Sequence, residues 1–256
     1  MNEFSLKYLA KFVFEHKVQR LAINGVLMPL LEIKNDQMLE LSLIDSGLHS
    51  EDLFILSQYL KHNTSIVKID LSKNRIGLKY VDESKDIEFK MKNQDKLKDF
   101  SYQQYFYDSI GLEHFSLALS SGDRLQSLNL SENDIGAENF ALLQSIFVSN
   151  DKIEYLNIAD CLIDGEQTEI LCKSLKENKK LKYFYLRNCE IKDVGSYAIA
   201  NLIDHNANLK ELEIFKCGIH NSGGEAIEKA LRSNFCIEKL SVGDNHLTQK
   251  HLFDIQ

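Results

Sequence analysis

The stretches LQSLNLSENDI (125–135), IEYLNIADCLI (153–163), LKYFYLRNCEI (181–191) and LKELEIFKCGI (209–219) each begin 28 residues after the last, and IEKLSVGDNHL (237–247) continues the series. MLELSLIDSGL (38–48) and IVKIDLSKNRI (66–76) form an upstream pair, again 28 apart, and VQRLAINGVLM (18–28) is a degenerate copy. All eight fit LxxLxLxxNxL, and each of the 32 apolar sites so defined is filled by an apolar residue. With 44% of the chain hydrophobic, that agreement is far from random. A fixed period of this length marks a stack of similar units.

Residue chemistry gives each unit its parts. Around the central LxL the side chains alternate, so a short strand buries one face. In the copy at 181–191, Phe184 and Leu186 point inward while Tyr183, Tyr185 and Arg187 point outward. The second half of each unit changes period. Leu56/Leu60, Leu143/Phe147, Leu171/Leu175, Ile199/Ile203 and Ile227/Leu231 lie four apart and predict one apolar helix face. Asn63, Asn150, Asn178, Asn206 and Asn234 each stand three residues before the next copy, with Gly122 in the same slot. Asn tolerates left-handed backbone, so these residues are expected to end the helices as C-caps.

The pattern resembles the leucine-rich repeat family. The 28-residue spacing, with Asn or Cys at the ninth position, is similar to its ribonuclease-inhibitor-like subclass. The resemblance covers residues 18–256 and implies an α/β fold: a right-handed βα solenoid, or horseshoe. Strands lie about 4.8 Å apart and packed helices about 8–10 Å apart, so the helical side is longer and the stack curves. Parallel strands then line the concave face and helices the convex one.

One leucine-rich-repeat domain is expected over 1–256: an N-terminal capping helix within 1–17, first repeats over 18–76, an insertion over 78–110, and regular repeats over 111–256. The insertion accounts for a gap of 59 residues between the copies at 66 and 125. Within it, DIEFKMK (86–92) alternates like a strand and KLKDFSYQQYFYDS (96–109) reads as a helix. It is either a self-packing decoration or a partner-binding element carrying Tyr102, Tyr105, Phe106 and Tyr107. The chain ends at HLTQKHLFDIQ, early in a helical segment with no polar cap after it, which fits a truncated chain or an end that meets a partner.

Composition narrows function. The net charge of −8 argues against a generic nucleic-acid binder. No apolar run approaches the roughly 20 residues of a membrane span, and MNEFSLKYLAKFVFEHK lacks the parts of a secretory signal. The five cysteines form no CxxC pair, which fits a reducing, cytoplasmic setting. No GxGxxG, P-loop, GxSxG or HExxH occurs, and no metal-ligand spacing of His and Cys. The expectation is therefore a non-enzyme with no cofactor, no metal and no small-molecule substrate. Cys161, Cys189 and Cys217 recur one repeat apart in the ninth position, where other copies carry Asn74, Asn133 and Asn245. They are expected to stabilise turns rather than to act as nucleophiles. Cys172 and Cys236 are expected to pack in or beside the helical half.

Outward strand positions supply the candidate site. The third column runs Arg20, Glu40, Lys68, Ser127, Tyr155, Tyr183, Glu211, Lys239, and the fifth Ala22, Ser42, Asp70, Asn129, Asn157, Tyr185, Glu213, Ser241. The seventh runs Asn24, Ile44, Ser72, Ser131, Ala159, Arg187, Phe215, Gly243. Tyr155, Tyr183, Tyr185, Arg187, Glu213 and Phe215 gather on three adjacent strands, with Glu211, Asp160 and Lys216 at the rim. Tyr and Arg are frequent interface anchors, so this patch is expected to bind a partner protein. The competing expectation is that the rings merely stack across strands.

Lys outnumbers Arg 25 to 5, which with the resemblance points to a bacterial effector delivered into a host cytosol, or a protist cytosolic adaptor. Similarity to GTPase-activating proteins of this fold implies an alternative, a regulator of a small GTPase with Arg75 beside Asn74 as its candidate. A cytosolic inhibitor is a third expectation; Lys68, Lys182, Lys210 and Lys239 break the acidic stripe it would need.

Overall fold

The computed structural model describes residues 3–16, 18, 21–23, 26–80, 105–122 and 124–248. Seven short parallel strands form one sheet: β3 (Glu40–Ser42), β4 (Lys68–Asp70), β7 (Ser127–Asn129), β8 (Tyr155–Asn157), β9 (Tyr183–Tyr185), β10 (Glu211–Glu213) and β11 (Lys239–Ser241). They stand side by side in chain order, each the centre of one LxxLxLxxNxL copy. Register follows the repeat, Tyr155 beside Tyr183 and Tyr183 beside Glu211. It also survives the long gap, because Lys68 pairs directly with Ser127.

Helices alternate with these strands: α3 (Ser50–Leu60), α4 (Ile110–Ser120), α5 (Ala137–Phe140), α6 (Gln144–Ser149), α7 (Gly165–Leu175), α8 (Lys192–His205) and α9 (Asn221–Leu231). A 3-10 turn at Ala141–Leu143 joins α5 to α6. Leu56, Leu143, Leu171, Ile199 and Ile227 are fully buried against the inward residues Leu128, Leu156, Phe184 and Leu212, giving one continuous core. Such a side chain contributes about 1.5–3 kcal/mol when buried. At the amino end, α1 (Glu3–Glu15) packs Leu6, Ala10 and Val13 into the same core and lies against α3. The short α2 (Leu30–Lys34) buries Leu30 and Ile33 beside it.

Three expectations are corrected. First, VQRLAINGVLM does not add a strand to the main sheet among the described residues. It forms an antiparallel pair, β1 (Leu21–Ile23) and β2 (Val26–Met28), with Ile23 opposite Val26. Ile23 pairs with Val26 only three positions on, so this local antiparallel pairing overrides the repeat frame. Second, KLKDFSYQQYFYDS is not helical throughout. Tyr105–Tyr107 is a strand, β6, antiparallel to β5 (Leu78–Tyr80), with Leu78 opposite Tyr107. The segment thus leaves and re-enters the solenoid as a two-stranded ribbon, clamped by Asp108 N–H donating to the Gly77 carbonyl at 3.0 Å. Residues 81–104, including DIEFKMK and Tyr102, lie outside the described residues, as do 249–256. Just after the ribbon α4 and α3 meet backbone to backbone: a Cβ at Gly111 would sit 2.2 Å from the Ser50 carbonyl oxygen, and Gly111 N–H donates to Ser50 Oγ at 2.9 Å.

Third, the asparagines after the helices are not left-handed. Asn150 and Asn206 cap α6 and α8 with extended backbone, φ −117° and −106°. The column instead builds hydrogen-bonded turns. Asn206 Oδ1 accepts from Asn208 and Leu209 N–H at 2.8 Å each, while its Nδ2 donates to the Asn178 carbonyl one repeat away. Asn178 and Asn234 repeat the scheme, as does Asn63, whose Nδ2 reaches the Ile33 carbonyl at 2.6 Å. The left-handed backbone occurs elsewhere, at the eighth repeat position: Asp45, Lys73, Glu132, Asp160, Asn188, Lys216 and Asp244 all have φ between 48° and 59°.

Gly122 interrupts the asparagine column at the junction after the ribbon. A Cβ there would meet nothing within 4 Å, and a cavity lined by Asn63, Ser121, Gly122, Arg124 and Leu125 occupies the space. Gly122→Asn is expected to fill it, to bond the Arg124 and Leu125 N–H groups, and to stabilise the fold by about 1 kcal/mol. Urea denaturation of the two proteins checks this; a lower midpoint for the variant overturns it.

Candidate functional site

Beyond each strand the chain must turn sharply into the convex half, and the ninth-position residue makes that turn possible. Asn74 is buried, and its Nδ2 donates to the carbonyls of Leu43, Leu71 and Ser72 at 2.7, 2.9 and 3.1 Å. Its Oδ1 accepts from Ser46 and Leu48 N–H at 3.0 and 2.9 Å. Asn133 and Asn245 repeat the donor side, and Asn245 also accepts from Cys217 and Ile219 N–H. Cys161, Cys189 and Cys217 take the same place: Cys161 Sγ donates to the Leu130 carbonyl at 3.0 Å and Cys217 Sγ to the Leu186 carbonyl at 3.2 Å. The turn-stabilising role expected of this column is what the geometry shows. It also leaves Asn74 no atom for an external ligand, while Arg75 is half-buried with its N–H held by the Leu48 carbonyl.

Burial pushes the Cys189 thiol up to about 11 and Cys217 up to about 12, and raises Cys161 and Cys172 as well. The thiolate is the reactive form, so these groups are suppressed both chemically and sterically. Cys236 differs from the expectation, being half-exposed rather than packed away.

On the outward face the six candidate residues come together. Tyr155, Tyr183, Tyr185, Glu213 and Phe215 are half-buried and Arg187 is exposed. Strand register sets Tyr185 between Asn157 and Glu213, and Tyr183 between Tyr155 and Glu211. The Tyr155 ring lies 5.4 Å from Tyr185 and 6.3 Å from Tyr183, at interplanar angles of 50° and 44°. The Phe215 ring occupies the space over Gly243: a Cβ there would meet it at 3.2 Å. Cross-strand stacking therefore exists, but it leaves these rings on an open sheet face.

Polar contacts tie the patch to its rim. Tyr185 Oη donates to Glu211 Oε2 at 3.0 Å, and Lys239 Nζ reaches the same oxygen at 3.2 Å. Burial and then this carboxylate raise the Tyr185 hydroxyl above its usual range, so it stays protonated and keeps donating. Arg187 pairs with Asp160 at 3.1 Å, and Asn188 Nδ2 donates to the other oxygen of Asp160 at 2.6 Å. The amino-terminal half of the face is different in kind. Ser72 N–H and Oγ and Asn129 Nδ2 all donate to Asp70, and Ser131 Oγ donates to Asn129, so small polar side chains satisfy one another.

Lys68, Lys182, Lys210 and Lys239 are each neutralised by a glutamate of a neighbouring repeat, at 2.6, 2.7, 2.7 and 3.2 Å. This pairing had no local signal; it appears only when residues 28 apart are set side by side. The described residues include no group of three or more His, Cys, Asp or Glu arranged to hold a metal ion, and no helix long and apolar enough to cross a membrane.

A family profile described as Leucine Rich repeat matches residues 62–79, 125–138, 177–200 and 205–227. No curated protein matches the chain. A solved structure titled Leiomodin-1 Actin-Binding Site 2 (ABS2) is similar to it, with a TM-score of 0.48 and 19% identity, covering 68% of this chain and 84% of that one.

Two outcomes follow from this geometry. Asn74→Ala strands the Leu43 carbonyl and the Ser46 and Leu48 N–H groups, while the Leu71 and Ser72 carbonyls keep Asn133 Nδ2 and Asp45 N–H, and it is expected to cost about 2–4 kcal/mol in thermal or urea unfolding. Maleimide labelling of the native protein at pH 7.5, read by peptide mass mapping, is expected to modify Cys236 first. Labelling of Cys161, Cys172, Cys189 and Cys217 should begin only on unfolding; early modification of Cys189 would refute its inert role.

Proposed function

This chain is a leucine-rich repeat protein, and on that premise we propose that it is a protein-recognition module whose partner seats on the open sheet face of β8, β9 and β10. The observation that carries this is the grouping of Tyr155, Tyr183, Tyr185, Arg187 and Phe215 on neighbouring strands. Aromatic side chains and Arg supply large contact area from few rotatable bonds, which makes them efficient anchors. They are held in place beforehand, by ring packing, by the Tyr185–Glu211 hydrogen bond and by the Arg187–Asp160 pair. A surface already ordered loses little entropy when a partner arrives. An open sheet face also buries a partner over several strands at once, which suits a folded protein or an extended segment better than a small molecule.

The reading is tested with Tyr183→Ala, Tyr185→Ala and Phe215→Ala combined. All three positions face away from the core, so circular dichroism should match the parent. Immobilised parent protein is expected to capture a partner that the triple variant loses at least about tenfold, since each anchor contributes roughly 1–2 kcal/mol. Equal capture by a folded triple variant would defeat the proposal.

A further inference from the structure

Glu213 is the one acidic member of the patch and is unlike the other carboxylates of this face. Glu40, Glu154, Glu211 and Glu238 each hold a lysine, Asp160 holds Arg187, and Asp70 accepts three hydrogen bonds. Glu213 makes neither an ion pair nor a side-chain hydrogen bond among the described residues, although it is half-buried. Its lateral neighbour is Tyr185, and Phe215 follows it on the same strand face. Of the two lysines three residues away in sequence, Lys210 is paired with Glu238, and Lys216 stands past the strand end in the left-handed turn, outside ion-pair distance of Glu213.

The surrounding charge has the same sense. The fifth column, the midline of the sheet, contains two carboxylates, Asp70 and Glu213, and no lysine or arginine from Ser42 to Ser241. The third-column lysines are held by glutamates of neighbouring repeats, and Arg187, whose charge also acts on Glu213 through space, makes its contact with Asp160. Tyr185 spends its hydroxyl on Glu211, which leaves its ring face as the feature it offers a ligand. An unpaired carboxylate bordered by aromatic ring faces is a setting in which a cation gains twice, from the charge and from the rings.

We propose that this patch of the sheet face, formed by Tyr155, Tyr185, Glu213 and Phe215, receives an arginine side chain of the partner protein. The inference rests on the protein-recognition reading above and specifies its chemistry. Arginine suits the site because its planar guanidinium can stack on a ring while two N–H groups address one carboxylate. A lysine could satisfy the charge but not both contacts in one plane.

The test uses the full chain, labelled with ¹⁵N, and two acetylated, amidated probe peptides, Gly-Arg-Gly-Arg-Gly and the same peptide with citrulline for arginine. Citrulline keeps the shape and removes the charge. The arginine peptide is expected to shift the amide signals of Tyr185, Glu213 and Phe215, and the citrulline peptide to bind about tenfold more weakly. Glu213→Gln, which preserves size and leaves every mapped contact intact, is expected to cost about the same factor. Tyr185→Phe should retain binding and Tyr185→Leu should lose it, separating the ring from the hydroxyl. Shifts confined to other strands, equal binding of the two peptides, or unchanged affinity in Glu213→Gln would each overturn the proposal. If partner capture falls in the triple alanine variant but not in Glu213→Gln, the binding face stands and the arginine site does not. If capture survives both, the face itself is wrong.

Discussion

Everything in this molecule depends on satisfying backbone hydrogen-bonding groups where each strand turns into the convex half. A chain that makes this turn repeatedly would bury unpaired N–H and C=O groups in every unit, at about 1–3 kcal/mol each. A short side chain at the ninth position of each regular repeat turns inward and answers them, as Asn74 does with five bonds across two repeats. Because those bonds run between units, they set the spacing of the units as well as the shape of each turn. In the second asparagine column Asn63, Asn178, Asn206 and Asn234 do the same where helix returns to strand, while Asn150 makes only the acceptor half. Between the two columns the strands need only three residues apiece to stay in register.

That rigidity divides the sheet into an inner side devoted to packing and an outer side left for contact. The inner residues are interchangeable apolar groups, so substitution there is a matter of volume. The outer residues touch one another along and across the strands rather than the core, so each column can change along the stack without disturbing the core. The amino-terminal strands use this freedom for a self-satisfied network of Asp70, Ser72, Asn129 and Ser131. The strands from β8 to β10 use it for aromatic rings and an uncompensated carboxylate. The ribbon of β5 and β6 shows the same independence: it leaves the stack between two units, and β4 still pairs with β7.

How far this could be read from residues alone varied with the range of the interaction. The repeat frame, the inward and outward sets, the convex helices and the structural role of the Cys column were all legible, because they follow from periodicity and from like residues in like positions. The antiparallel pair Leu21–Ile23 and Val26–Met28 was missed because four apolar matches to the repeat were weighed above local pairing of two strands so near in sequence. The asparagines before each copy were assigned to the right place with the wrong conformation. The side chains of Asn63, Asn178, Asn206 and Asn234 reach the carbonyls of another unit, and that acceptor is absent from any single stretch of chain.

By itself the sequence determined the unit and its repetition: which residues pack, which face out, and that parallel strands must stand beside one another in chain order. Tertiary structure decided the rest of the chemistry on the open face. Whether a charge is spent or available depends on which side chain lies across the neighbouring strand, 28 residues away in sequence and about 4.8 Å away in space. Lys239 and Tyr185 share Glu211, Arg187 takes Asp160, and Glu213 is left over. No count of charges along the chain distinguishes these carboxylates; lateral adjacency does, because an ion pair needs contact and not composition.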